Sequence, residues 1–556
     1  MDDSLLNQLK QELNGNFRND EETLNSFSTD HSHIWIKPQG VAAPADVAEL
    51  KSLVRFVNNR REIDFDLSLT VRAGGACVTG GPLNDSLIVD ITAGLNKILN
   101  LSPSEVRVQP GMSYSEFDRE TKKLGSYLPP YPASRDICCI GGMIANNSGG
   151  PQSFRYGKVN KFVKSQKVIF ADGEEYNVEP LDQSTLQKKM DQDDFEGSIY
   201  RDLFGLITDN YEAIQKAKPR ASKNSAGYPL WNVWDPKKKI FDLNQIIVGS
   251  QGTLGIVTET TFKLQRFLPV KKLMVIFLKD AERLTELIGL LSDQEPEELE
   301  MYHQSVMRMI GKHFPTFAET LNVNPLTFGF EFSGELWEIL KTKPMIPDYV
   351  ILPKFSGESE AEVDRAIEKA QLAIRHLDLP VFVTEDRKDM EKYKKLRHDS
   401  FYFFQNSLGG KDEVIFFDDI CIPTEHLSEC LPKFINIVER CNCEYFMAGH
   451  IGNGNIHLVP FMDANRPEDQ NIIKEMIHEA YDIVLGVGGT ISGEHNDGLT
   501  RTPFLKKMYG SEIYELFVRT KKIFDPKNIF NPGKKVMNSH SQNLQYAFDH
   551  MMKPKD

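Results

Sequence analysis

The chain is poor in the features that would place it in a secreted, membrane-spanning or nucleic-acid-binding class. Its seven cysteines, Cys77, Cys138, Cys139, Cys421, Cys430, Cys441 and Cys443, are an odd set with no CxxC pair. That argues against a disulfide framework or a zinc knuckle and for reduced thiols. No stretch approaches the roughly 20 apolar residues of a membrane span. Residues 1–14 carry early acidic groups and no continuous apolar run, so they read as neither a secretory signal nor a transit peptide. A cytoplasmic location is expected, with a peripheral contact on the cytoplasmic face of a membrane left open. Basic excess is also missing: the formal net charge is −14, which argues against a nucleic-acid footprint, since phosphate backbones need a concentrated positive surface, although an acidic total leaves room for a local basic patch.

What is present is an ordinary globular composition, 40% hydrophobic and 26% charged, over 556 residues. That length exceeds one core and suggests two to four units. Val47, Leu50, Val54 and Val57 have helical spacing within 44–60, whereas 67–71, 86–91 and 106–109 are short strand-like runs bounded by turn residues. The strand 167–171 enters an Asp172-Gly173 turn, the best hairpin signal in the first half. Near residue 268 the character changes. A new strand (273–278) and helix follow, then a charged helix over 358–375 and a strand over 381–384. A last helix (502–522) is broken by Asp525-Pro526 and Asn531-Pro532-Gly533. The fold class is α+β.

Two glycine-rich segments carry chemistry. In 71–81 Gly74, Gly75, Gly80 and Gly81 let backbone N–H groups approach an anion closely, which suits a pyrophosphate. In 140–150 Gly141, Gly142, Gly149 and Gly150 are accompanied by Asn146, Asn147 and Ser148. Taken alone, each segment reads as a structural turn before it reads as an anion site. Neither fits GxGxxG opening a helix or a P-loop, so Rossmann and NTPase readings are disfavoured.

The sharpest constellation is Gly449-His450-Ile451-Gly452-Asn453-Gly454-Asn455-Ile456-His457. A two-residue turn at Asn453-Gly454 would set His450 directly opposite His457, with Cβ atoms about 4.5–5.5 Å apart. Two imidazoles could then share a metal, and Ser492-Gly493-Glu494-His495 adds a carboxylate. Two His and a Glu with open positions are a catalytic pattern. The alternative is that the two histidines simply pair or pack across the strands.

Together with Gly249-Ser250-Gln251-Gly252-Thr253-Leu254-Gly255-Ile256-Val257-Thr258, the order of these motifs resembles the FAD domain of the vanillyl-alcohol oxidase and p-cresol methylhydroxylase flavoproteins. From about residue 20 to 535 the chain is more closely similar to the D-lactate dehydrogenase, glycolate oxidase and D-2-hydroxyglutarate dehydrogenase group. The resemblance implies a two-subdomain FAD-binding domain (1–267), an α+β cap domain holding substrate and metal (268–500), and a C-terminal segment (501–556) that returns to the FAD domain. It implies an FAD site formed by Arg72, Ala73, Gly74, Gly75, Ala76, Cys77, Val78 and Thr79, by Pro132, Gly141, Gly142, Asn146, Ser148 and Gly149, and by Gly252, Gly255, Ile256, Val257 and Asn531. Covalent relatives carry a flavin-linking His where this chain has Ala76, so noncovalent FAD is expected.

By the same resemblance His450, His457 and Glu494 bind a divalent metal, zinc first with manganese or iron open, and His495 is the base. Arg397, in 393–398, resembles the substrate arginine, and Arg501 is a second candidate; a solvated basic helix face is the plain alternative for both. The chain departs from the group at Gln251, where Glu is usual, at Asn453, where Asp is common, and at Asn496-Asp497. The implied activity is FAD-dependent oxidation of a D-2-hydroxy acid, D-lactate or D-2-hydroxyglutarate. A sugar or alcohol oxidase and a non-catalytic electron-relay flavoprotein are the alternatives. No cluster-forming cysteine run follows the Asn-Pro-Gly segment, so electrons are expected to leave through a quinone, a soluble carrier or a separate iron–sulfur subunit. A homodimer is left open.

Overall fold

The computed structural model describes residues 3–313, 347–386, 389–391, 393, 412–413, 417–538 and 541–552. Residues 3–263 build two main sheets, beside a small one of Leu181–Asp182, Ile240–Phe241 and Trp234–Asp235. In one, the strands Gly40–Ala42, Leu87–Asp90 and Leu69–Arg72 run parallel, with Phe17–Arg18 added antiparallel at the edge. Val47–Arg60, capped by the Asp46 carboxylate on the Glu49 N–H, turns Leu50, Leu53, Val54 and Val57 onto this sheet, as its apolar spacing predicts. The other sheet is antiparallel, in the order Ile98–Leu101, Glu105–Val108, Ile256–Lys263, Val163–Ile169, Glu175–Val178. Its last pair closes through the expected turn, with the Asp172 carboxylate accepting from the Glu174 N–H at 3.0 Å.

After Gln265–Arg266 the chain enters an antiparallel sheet of eight strands. Val381–Val383, Val270–Leu278, Tyr349–Gly357, Glu298–His303, Glu444–His450, Asn455–Met462 and Asp412–Glu413 follow one another across it, and Ile420–Cys421 pairs with the start of Asn455–Met462. Alternation decides its two faces. Met274, Ile276, Leu299, Met301, Ile351, Met447 and Leu458 point to one side, where the helices Leu284–Ser292, Glu360–Ile374, Leu427–Arg440 and Pro467–Gly486 bury them. The opposite face turns toward the first domain and carries the residues discussed below. No helix among the described residues is long and apolar enough to cross a membrane.

The C-terminal segment folds back onto the first domain. Leu69 bridges Phe530, and the Asn531 N–H donates to the Leu69 carbonyl. The Asn531 side chain donates to the Gly81 and Gln251 carbonyls at 3.0 and 2.7 Å and accepts from Thr70 Oγ1 at 2.9 Å. Three separate segments are thereby tied by one buried amide. Asn531→Ala is expected to destabilise the protein by about 2–3 kcal/mol, because buried carbonyls lose their donor; chemical denaturation with an unchanged slope checks this.

Candidate functional site

The two histidines reach one face of the cap sheet by a route that differs from the expected one. The pairing of Glu444–His450 with Asn455–Met462 places His450 opposite Asn455 and Ala448 opposite His457. Asn453-Gly454 is therefore not a two-residue hairpin turn. Residues Ile451–Asn453 form a 3-10 turn, and Gly454 closes it at φ +67°, where a Cβ would lie 1.9 Å from the Ile422 carbonyl oxygen. The four-residue loop shifts the register by two, an even number, so both histidines keep the same face. They are diagonal neighbours, with ring centroids 5.2 Å apart and perpendicular planes.

Glu494 lies between them. His450 Nε2 is 3.0 Å and His457 Nε2 3.6 Å from Glu494 Oε1, and the other carboxylate oxygen accepts from Lys223 Nζ at 2.9 Å. Burial alone would raise the Glu494 pKa, but Lys223 and His450 outweigh it and hold the carboxyl well below its usual range. His450 Nδ1 donates to Glu300 Oε1 at 2.6 Å. Burial depresses this ring, yet Glu300 and Glu494 lift it above its ordinary pKa. The His457 Nδ1–H donates to the Asp418 carbonyl at 3.1 Å, and burial together with the His450 charge pushes its pKa down to about 3. A neutral ring with Nδ1 so engaged presents the Nε2 lone pair, the form a metal requires.

His495 stacks on His457, 5.2 Å between centroids, and its Nδ1 donates to Asp418 Oδ2 at 2.9 Å. Against burial, Asp419 and Asp418 raise its pKa to about 9. Asp419, fully buried, accepts on Oδ2 from the Glu494 and His495 N–H groups and Ser492 Oγ, and on Oδ1 from Asn455 Nδ2. Asp419, His457, Glu494 and His495 each have one donor atom within 4.8 Å of the others. Asp419 is nonetheless spent on four internal donors and shapes the loop. His450 and His457 each bring Nε2 toward Glu494 Oε1, so these three are the expected ligand set brought together in space.

Of the two expected arginines, Arg397 lies outside the described residues. Arg501 is fully buried behind Asp418, pairing with its Oδ1 and donating to the Asn496 carbonyl at 3.1 Å. It does not line the cavity next to the histidines, so the expected contact with substrate is replaced by an indirect one, through Asp418 to His495.

That cavity, about 800 Å3, joins the glycine segments to the histidines. Ala73, Gly74, Gly75, Ala76, Cys77, Val78, Pro132, Gly141, Gly142, Asn146, Ser148, Gly149, Gly252, Gly255, Ile256 and Val257 line it, together with His450, His457, Glu494 and His495. Three expected cofactor residues stand behind the wall instead. Arg72 lays its guanidinium over the Phe27 ring, 5.3 Å to the centroid. Thr79 is buried, its hydroxyl 3.2 Å from Cys77 Sγ and its carbonyl accepting from the Leu499 N–H. Asn531 is the clamp already described. Unlike the loop at 71–81, the second glycine segment is a short helix, Ile140–Asn146.

The surface fits a flavin nucleotide. A Cβ on Gly142 would meet nothing within 4 Å, and one on Gly252 only Val71 at 3.9 Å, so both glycines leave room facing the cavity. Gly149 marks where the two halves of the site touch: a Cβ there would stand 2.5 Å from Glu494 Oε2. The departures from the family pattern serve the same seam. Gln251 accepts from the Gly498 N–H at 2.9 Å and donates to Asn146 Oδ1 at 3.2 Å, a pair of roles an ionised Glu could not fill. Asn496 donates to the Gly249 carbonyl at 2.9 Å, and Asp497 accepts from the Gly227 N–H and Lys535 Nζ, each at 2.9 Å.

Sequence reasoning missed Lys223, Glu300, Asp418 and Asp419. Asp418-Asp419, an acidic pair beside the apolar Ile420-Cys421-Ile422, is the one signal that could have drawn attention. Lys223 sits in an irregular stretch with no periodicity to mark it.

Residues 38–179 match the model of an FAD binding domain, and residues 269–535 that of the C-terminal domain of FAD linked oxidases. The D-2-hydroxyglutarate dehydrogenase of Escherichia coli is 24% identical over 521 residues, covering 92% of this chain and 49% of that protein. The chain thus spans about half the length of the first curated relatives it matches. The D-lactate dehydrogenase of Archaeoglobus fulgidus is 23% identical over 499 residues, covering 89% and 91% of the two chains. Among solved structures, p-cresol methylhydroxylase with substrate bound superposes with a TM-score of 0.66 at 15% identity, over 97% of this chain and 98% of that one. The shared fold is the two-subdomain FAD domain with its cap.

If the cavity holds the nucleotide, Gly142→Val should leave the stability of the apoprotein within about 1 kcal/mol, because the new side chain meets open space and Val is no worse than Gly in a helix. It should weaken FAD binding at least tenfold in a flavin fluorescence titration.

Proposed function

The chain belongs to the FAD-linked oxidoreductases, an FAD binding domain followed by the C-terminal domain of the FAD linked oxidases, and on that premise we propose that it oxidises a D-2-hydroxy acid to the 2-oxo acid. The observation that carries the reading is the convergence of His450, His457, Glu494 and His495 on the cavity lined by the glycine segments. The substrates in its relatives' names, D-2-hydroxyglutarate and D-lactate, support the same class. Ala76 offers no ring nitrogen for a flavin bond, which supports noncovalent FAD.

Oxidising an alcohol beside a carboxylate requires removing the hydroxyl proton and a hydride from the same carbon. When bound, FAD supplies the hydride acceptor, and a divalent ion held by His450, His457 and Glu494 acidifies the hydroxyl and fixes the carboxylate. His495 receives the proton. Its Nδ1 is committed to Asp418, so Nε2 is the atom that faces the reaction. The ring can act as a base only when neutral, and in that state the Nδ1–H bond to Asp418 leaves Nε2 as the acceptor. Asp418, itself held by Arg501, fixes the plane of the ring. Asp419 gathers the Glu494 and His495 N–H groups so that ligand and base stay adjacent. Arg397 is retained as the candidate for the substrate carboxylate. The electrons then pass to a quinone, a soluble carrier or an iron–sulfur protein.

A sugar or alcohol oxidase would have no use for two histidines and a carboxylate converging on one point, and a relay flavoprotein would need no base beside them. His495→Asn is expected to keep the flavin spectrum while slowing anaerobic flavin reduction by a D-2-hydroxy acid about 10²- to 10⁴-fold, the usual contribution of a general base. An unchanged rate excludes His495 from that role. Chelation of the wild-type protein should abolish reduction, and zinc, manganese or iron(II) should restore it; reduction that survives chelation removes the metal from the reading.

A further inference from the structure

The two oxygens of Glu494 have separate neighbours. Oε1 lies 3.0 Å from His450 Nε2 and 3.6 Å from His457 Nε2, and all three residues line the cavity. Oε2 accepts from Lys223 Nζ at 2.9 Å. The Gly149 backbone comes so near this second oxygen that a Cβ there would stand 2.5 Å from it. One oxygen is thus turned to the histidines, while the other is taken up by an ammonium and packed against a peptide.

Lys223 is itself pinned. It is buried, and its ammonium also donates to Asn455 Oδ1 at 3.3 Å. The Asn455 amide keeps that orientation because its Nδ2 donates to Asp419 Oδ1 at 2.9 Å and to the Ile420 carbonyl at 3.2 Å. Asn455 pairs with His450 across the strands. A lysine from the first domain is therefore fastened to the sheet that carries the histidines. Lys223 does not line the cavity, so its route to the reacting groups is through Glu494.

A carboxylate can hold a divalent ion with one oxygen or with both. Here the second mode would cost the charge-assisted bond and strand a buried ammonium away from water. The difference matters to a 2-hydroxy acid, which brings a carboxylate and a hydroxyl oxygen of its own. Two imidazoles and one carboxylate oxygen leave positions for both, whereas a second Glu494 oxygen would occupy one of them. We propose that Lys223 is a positioning residue that restricts Glu494 to ligation through Oε1 and so keeps a coordination position free for substrate. The inference rests on the metal reading above and adds the device that keeps the site open. A lysine that served only as a charge partner would support the fold and leave the number of ligands unchanged.

The FAD-loaded protein is stripped of metal and reloaded with cobalt(II), whose visible absorption, read to the red of the flavin band, weakens as the ion gains ligands. Lys223→Met, similar in shape and uncharged, should lower the absorbance per bound ion at least about twofold. It should also weaken binding of pyruvate and 2-oxoglutarate, followed by the same band, about 10- to 100-fold, the usual cost of losing an outer partner. Lys223→Arg, which keeps the cation, should retain the wild-type spectrum. An infrared difference spectrum of the wild type, zinc-loaded minus metal-free, needs no variant and decides the matter if neither substitution folds: one-oxygen ligation separates the two carboxylate stretches widely, and a narrow separation overturns the inference. A folded Lys223→Met with the wild-type band and acid affinities, or one that binds no cobalt, also overturns it and leaves the metal reading standing. A wild-type cobalt band that survives His450→Ala places the ion elsewhere and sinks the metal reading, and the inference with it. A wild-type band that neither acid shifts removes the substrate from the ion and likewise overturns the inference.

Discussion

Glu494 is a carboxylate taken out of water and kept ionised, and burying an unmatched charge costs several kcal/mol. The rest of the site can be read as the compensation for it. Lys223 supplies the matching positive charge from the first domain, His450 and His457 approach from the cap sheet, and Asp419 receives the backbone N–H groups on either side of the Glu494–His495 bond. Lys223 lies far from the other three in sequence, so the electrostatics of one side chain require two domains to be seated on each other. Gly149 shows how tight the seating is, since even a methyl group there would displace the Glu494 oxygen. The geometry of this cluster and the packing of the domains are therefore the same constraint.

The sheet behind the histidines divides labour by alternation alone. One face is largely apolar and is covered by four helices; the other carries the histidines and Glu300, with Val459, two positions beyond His457, opposite Phe446. One antiparallel sheet thus holds the two histidines and the hydrogen-bonding partner of His450, Glu300, in one frame. Glu300 illustrates the economy: it is the strand neighbour of His450 across the Glu298–His303 pairing, and needs no loop to orient the ring.

Much of this was legible in the sequence. Motif order gave the FAD-type fold, helix spacing gave Val47–Arg60, and the Asp172-Gly173 turn closed the strands on either side of it. The histidine pair was legible as a pair but not in its register, because Asn-Gly favours a two-residue turn only when nothing else claims the loop, and here the Ile422 backbone packs against Gly454. Arg501 was misplaced because a basic residue near a motif looks the same whether it faces substrate or supports Asp418. Lys223 and Asp419 were illegible because their roles come from contacts more than 70 residues apart in the chain. Such contacts leave no local period.

The Asn531 clamp has a consequence for the order of events at the ribosome. Its bond to Thr70 spans 461 residues, and at cellular synthesis rates that stretch takes roughly 20 to 90 seconds to emerge. Until then the edge of the first parallel sheet has no covering segment. The N-terminal domain, although translated first, is completed last, and the nascent chain must pass that interval with an exposed strand edge, the circumstance in which chaperone binding protects against misassembly.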